Sequence, residues 1–251
     1  MTSVAAQSGS APVLVWPVGR AEMLYERFKQ CIIARQWLPG QQLNIDRLAR
    51  EYNVSITPVR EALARLSADK LVMATQHRGY TVAPPPSTAR MAELFAVRLL
   101  LEPPAARGAA LHISPHELDS LRALHEAIAA RGAGADYAAM QAFAERNRAF
   151  HELIFRINGN DVLSEVYGQL NYHVVIGHVF HVHGVPDVPE VMAEHAAILD
   201  ALAAHDPDAA EQAMHAHIEH GSQRLLAIYR GPTSVAGDRD ARRRVSTPEG
   251  R

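Results

Sequence analysis

Residues 38–84 read LPGQQLNIDRLAREYNVSITPVREALARLSADKLVMATQHRGYTVAP. Leu38-Pro39-Gly40 holds two helix breakers and closes whatever helix precedes it. Asn44 is placed to cap a short helix, Ile45–Tyr52. Asn53-Val54-Ser55 is a tight connection. Thr57-Pro58 then opens a second helix, because a proline near the first helical position has no N–H to lose and a preset φ. Glu61 lies in its first turn, where a carboxylate suits the helix dipole. This helix runs to about Lys70. Leu71–Thr75 and Tyr80–Val82 are short β-prone runs. Gln76-His77-Arg78-Gly79 between them reads as a hairpin turn, with Gly79 taking the special backbone geometry.

Working outward, residues 21–37 place Leu24, Phe28, Ile32 and Trp37 roughly on one helical face. The order helix, short helix, turn, helix, hairpin over residues 19–84 is that of a winged helix-turn-helix. Such a module needs polar residues at the start of the helix that enters the major groove. Ser55, Thr57 and Arg60 occupy that start. Arg60 is the best-suited of them, since its planar fork pairs bidentately with guanine or phosphate. Arg47, Arg50 and Arg65 are candidate phosphate contacts, and Arg78 with Gly79 forms the tip of the wing. Any one arginine alone is equally a solvated helix face; the combined pattern carries the reading.

Pro84-Pro85-Pro86 is a stiff linker and a domain boundary. From 87 to 230 the periodicity is helical throughout, over about 88–111, 115–131, 135–157, 160–181, 187–204 and 207–229. Ser114-Pro115 and Asp206-Pro207 are cap-plus-proline starts. The fold expected is mainly α: a winged helix-turn-helix followed, over 88–230, by an all-α helical bundle. Residues 1–18 read as a disordered arm and residues 231–251, nearly free of apolar side chains, as a disordered basic tail.

Charge divides the same way. Residues 20–85 carry 10 Lys and Arg against 6 Asp and Glu, whereas residues 86–230 carry 10 against 18. A basic module ahead of an acidic one points to two partners, a polyanion being one candidate for the first. With one cysteine, Cys31, no intrachain disulfide forms, and a reducing, cytoplasmic compartment fits. No apolar stretch approaches 18 residues, so no membrane span is expected.

The stretch from Pro39 to Pro84 closely resembles the DNA-binding domain of the GntR family of bacterial transcription regulators. The matching residues are Pro39-Gly40, Leu43, Leu48-Ala49, Val54-Ser55, Thr57-Pro58-Val59-Arg60-Glu61-Ala62-Leu63, Leu66 and Gly79. The resemblance implies a DNA contact by Arg60. It also marks a departure: the family usually has an arginine, typically a DNA contact, where this chain has Ile56.

Histidine is the compositional outlier, with 14 residues, thirteen of them between His112 and His220. Neutral imidazole is a common divalent-metal ligand. Asn147 and His151 are four apart and share a helix face. His195 follows Glu194 on a later helix, and His215 and His217 lie on the last. Spacing alone leaves two readings open, a metal site and ordinary core or surface histidines. Residues 88–230 further resemble the FCD ligand-binding domain found in the FadR subfamily of GntR regulators. The pieces are Leu94–Arg98 with Glu102, Phe150–Ile154 with Gly159-Asn160 and Leu163, Glu194–Ile198 and Ala213–Ile218. The resemblance implies a divalent metal, zinc or nickel, held by Asn147, His151, His195 and His217. Asn147 stands where the family commonly has Asp. His215, about 200° from His217 around the helix, is not expected to point inward with it. The resemblance also implies a small carboxylate effector near the metal, with Arg98 as its partner, against an Arg98–Glu102 surface pair. His173, His178, His181 and His183 are further pocket candidates.

These observations imply a DNA-binding transcriptional regulator, a repressor, controlled by a small carboxylate. One winged helix reads few base pairs, so a homodimer on a palindromic double-stranded operator is expected. A metal-responsive regulator is the alternative. A metal-dependent enzyme acting on a small acid is disfavoured, since no nucleophile constellation is visible.

Overall fold

The computed structural model describes residues 19–75, 79–131, 137–170 and 187–230. The expected arm, the tail, Arg78 and His173, His178, His181 and His183 lie outside the described residues. Contacts divide the chain into two compact units, residues 1–84 and 85–251.

In the first unit α1 (Arg20–Ile33), α2 (Ile45–Glu51) and α3 (Ile56–Ala68) pack together, α3 lying on both others. Asn44 caps α2 as its side chain predicts, with Oδ1 accepting from the Arg47 amide at 2.8 Å. Ser55 sits at the N-cap of α3 in extended backbone. Asn53 takes a positive φ of 50° in the turn between the two helices, a conformation asparagine tolerates. The core is largely aliphatic around Phe28. Phe28 is fully buried between Trp37 and Tyr52, with ring centroids 5.1 and 5.2 Å away, and Leu43, Leu48, Val59, Leu63 and Leu66 complete it.

The wing has three strands rather than the two expected. β1 (Gln42–Leu43), β2 (Val72–Thr75) and β3 (Gly79–Val82) form an antiparallel sheet in the order β1-β3-β2. Leu43 faces Tyr80, and Val72 faces Val82. Gly79 has φ of +84°, and a Cβ there would stand 3.2 Å from the Leu43 carbonyl oxygen. Both the backbone and its neighbour therefore ask for glycine.

The second unit is helical throughout its described residues: α4 (Thr88–His112), α5 (Pro115–Arg131), α6 (Tyr137–Asn158), α7 (Asp161–Gln169), α8 (Val188–Ala203) and α9 (Pro207–Arg230). Ser114 and Glu117 make a reciprocal capping box at the start of α5. Asn160 caps α7, and Asp206 Oδ1 accepts from the amides of Asp208 and Ala209 at the start of α9. The long α4 runs through the bundle against α6 and α9, with α8 beside them. Its buried alanines, Ala105, Ala106, Ala109 and Ala110, let the neighbouring helices approach closely. Phe95, Phe150, Phe155, Ile154, Ile198 and Ile218 fill the space between. No described helix is long and apolar enough to cross a membrane.

Candidate metal centre and nucleic-acid interface

The bundle brings three histidines from three helices together. His151 on α6, His195 on α8 and His217 on α9 are all buried, and each offers a ring nitrogen within 4.8 Å of the others. His151 Nε2 and His217 Nε2 face each other at 3.3 Å. His215, two residues away, is exposed beside Glu219, as the helical angle predicts.

Each of the facing rings is held from behind by a carboxylate. His151 Nδ1 lies 2.7 Å from Glu102 Oε2, and both side chains are fully buried. Glu102 is in turn ion-paired with Arg98, one turn earlier on α4. His217 Nδ1 lies 2.9 Å from Glu194 Oε2. Glu194 accepts both guanidinium nitrogens of Arg224 at 2.7 Å, and its Oε1 stands 3.0 Å from His220 Nδ1. Burial pushes the Glu102 carboxyl up, but Arg98 and His151 outweigh it and hold it down at about 2. Glu194 is likewise pushed up by burial and held down at about 2 by Arg224 and His217. An ionised carboxylate only accepts, so His217 Nδ1 carries the proton it donates to Glu194. Burial keeps His217 neutral, down at about 4 despite the pull of Glu194. Its Nε2 is therefore a bare lone pair aimed at His151.

His195 differs. Its ring stacks on Phe150 at 4.3 Å between centroids, nearly parallel. Both its nitrogens are buried, and neither has a hydrogen-bond partner among the described residues. Burial, then the neighbouring His217 and His151, hold it well below the usual imidazole range. A buried polar atom left unpaired costs free energy, so a ring with two such atoms marks a place where a partner belongs.

The donor set fits a divalent metal. Two nitrogens bound at about 2.0–2.1 Å on a tetrahedral ion lie roughly 3.3–3.4 Å apart; His151 and His217 stand at 3.3 Å. Asn147 is one turn before His151, and its Oδ1 is buried. Imidazoles with carboxylate-bound Nδ1 atoms are the usual form of such ligands.

In the first unit Ser55, Thr57 and Arg60 are exposed at the N-terminal end of α3, with Arg47 and Arg50 exposed on α2. No acid among the described residues pairs with Arg47, Arg50 or Arg60. Ile56, at the first position of α3, is exposed as well. Arg65, a further candidate phosphate contact, has partners within the unit. It pairs with Glu22 of α1, and its guanidinium lies 4.1 Å over the Tyr25 ring. It braces α3 on α1.

Two family models cover this architecture. Residues 20–82 match that of the bacterial regulatory proteins of the gntR family, and residues 93–220 match the FCD domain. The chain belongs to the GntR family, with a C-terminal FCD domain. It is 26% identical over 206 residues to the HTH-type transcriptional regulator YdhC of Bacillus subtilis, covering 81% of this chain and 90% of YdhC. It is 28% identical over 222 residues to the HTH-type transcriptional repressor NanR of Escherichia coli K12, covering 79% of this chain and 81% of NanR. Among solved structures, Escherichia coli McbR/YncC superposes with a TM-score of 0.62 at 23% identity, over 83% of this chain and 97% of that one. A GntR regulator from Rhodococcus sp. RHA1 gives 0.63 at 23%, over 82% and 97%. These relatives are transcriptional regulators, and this GntR-family chain is a regulator rather than an enzyme.

Sequence reasoning missed Glu102, Glu194 and Arg224 as parts of this centre. Glu194 adjoins His195, and a helical neighbour points about 100° away. It does point away from His195, toward His217 on the next helix. Arg98, expected either at the effector or in a surface pair with Glu102, does pair with Glu102, and the pair is buried. A fourth ring, His125 of α5, lies 6.3 Å from His195 between centroids, and burial lowers its pKa.

Proposed function

We propose that this regulator is a homodimeric repressor in the cytoplasm. It grips a palindromic double-stranded operator, and a small carboxylate bound beside a divalent metal in the FCD domain controls that grip. Arg60, Ser55 and Thr57 read bases or phosphates, Arg47 and Arg50 hold phosphates, and Arg78 with Gly79 contacts the backbone from the wing. His151, His195 and His217 hold zinc or nickel, with Asn147 as a fourth, weaker ligand. That the Escherichia coli relative NanR is named a repressor supports the direction of control.

The observation that carries the effector reading is the charge of the centre. Glu102 is matched by Arg98 and Glu194 by Arg224. The remaining donors are imidazoles and an amide. A divalent ion there brings a positive charge that these side chains do not balance, in a buried site where imbalance is expensive. An anion of small size relieves it, and a carboxylate suits such a metal. Arg98 enters this account as the cation behind Glu102.

The test is a thermal-shift screen of the full chain, zinc-loaded and EDTA-treated, against small carboxylates. Each acid that shifts the midpoint is then tried for release of DNA from upstream of the chain's own gene. The expected result is a shift from one class of acid, lost with EDTA and in His195→Ala, because only a ligand of the native state raises the midpoint. A large shift from metal alone, with metal-dependent DNA release and no effect of any acid, would favour the metal-responsive reading.

A further inference from the structure

We propose that Glu194 and Arg224 are positioning residues for the metal centre, and that they make the His217 arm the adjustable one. The inference rests on the metal reading above. The two carboxylate-backed histidines have the same chemistry and opposite surroundings. The chain Arg98–Glu102–His151 is sealed: its arginine side chain is 4% exposed and its carboxylate and imidazole 0%. The chain Arg224–Glu194–His217 opens to solvent through a groove lined by Glu190, Glu194, His220, Gln223 and Arg224.

Glu194 is the joint of the second chain. One of its oxygens serves His217 and Arg224; the other serves Arg224 and the exposed His220. Accepting from Nδ1–H fixes the His217 tautomer and leaves Nε2 free to ligate. Arg224 fixes the carboxylate in its turn with a two-point grip, and Glu190 lies 3.8 Å beyond. Removing such an outer partner typically lowers metal affinity 10–100-fold without touching a ligand. Because this arm faces the groove, changes there reach the metal ligand through one carboxylate. The sealed Glu102 arm gives no such access.

The experiment uses the full chain and Zn²⁺ alone. Zinc affinity is measured by competition with a chromophoric chelator for wild type, Glu194→Gln, Glu194→Ala, Arg224→Ala and His217→Ala. The His217 tautomer in the chelator-treated protein is read from the two-bond proton–nitrogen NMR couplings of its ring. The expected result is a 10–100-fold weaker zinc site in Glu194→Ala, a smaller loss in Glu194→Gln, which keeps an acceptor, and a loss in Arg224→Ala as well. The wild-type ring is expected to be protonated on Nδ1, and the ring of Glu194→Ala to show a mixture. Wild-type affinity in Glu194→Ala, or a wild-type His217 protonated on Nε2, overturns the proposal. If instead wild type binds no zinc, or binds it equally well with His217→Ala, the metal reading itself fails. A merely structural role would lower the melting temperature of the chelator-treated protein and leave the tautomer unchanged.

Discussion

His151 and His217 meet nitrogen to nitrogen, their Nε2 atoms 3.3 Å apart, with a carboxylate bound to the far side of each ring. At that distance a proton on one ring, or a metal ion in its place, joins the two nitrogens. His195 completes the triangle with two nitrogens that have no hydrogen-bond partner among the described residues.

Replacing His195 with leucine removes two buried unpaired nitrogens and keeps the contact with Phe150. The expected outcome is a chelator-treated protein more stable than wild type by about 1 kcal/mol or more, together with loss of the metal-induced shift. Calorimetry on both forms checks it; a less stable chelator-treated variant would count against it.

Acid should destabilise the chelator-treated protein earlier than carboxylate titration alone allows. His195 is held well below 6.5, and His217 at about 4. The unfolded chain binds these protons near pH 6.5, the folded one only further down. Stability is therefore intact above about pH 6.5 and falls as pH drops toward 4. Denaturant midpoints between pH 7.5 and 4.5 read the slope, and His195→Leu should flatten it. A flat profile in wild type would contradict the neutral, buried imidazoles.

Glu102→Ala should be severely destabilising, by roughly 3–5 kcal/mol, because it breaks a buried ion pair by removing one partner. Arg107→Ala is the control. Arg107 pairs with Asp208 and Glu211 in the open, and its loss should barely move the unfolding midpoint.

At the DNA end, Arg60→Ala should cost roughly 1–3 kcal/mol of operator binding. Arg65→Ala tests whether that guanidinium, which pairs with Glu22 and lies over Tyr25, also holds a phosphate: a salt slope shallower by roughly one unit is the result expected of a phosphate contact. Ile56→Arg restores a cation at an exposed position of the recognition helix. It should tighten binding and steepen the log–log salt slope by roughly one unit. Fluorescence anisotropy at several salt concentrations separates the three.

The order of elements is legible in the sequence because it is written in local chemistry. Asn44, Ser114, Asn160 and Asp206 each stand at a helix start, and Gly79 has the positive φ that its place in the hairpin asks for. β1 is not legible, since two residues have no period and Gln42–Leu43 are a strand only because β3 is there to pair with. The three histidines are legible through the resemblance, and His215 is excluded by helical angle alone. The carboxylates behind them are not. Glu102 and Glu194 each meet a histidine on another helix, and no spacing along one chain announces a contact between helices. The Arg65–Glu22 pair is hidden for the same reason: Glu22 lies on α1.

The most direct measurement is zinc-edge X-ray absorption on the zinc-loaded full chain, beside His195→Ala. The account predicts a first shell holding three imidazoles with nitrogen at about 2.0–2.1 Å, falling to two or vanishing in the variant. A shell with no histidine scattering, or one unchanged by His195→Ala, would contradict it.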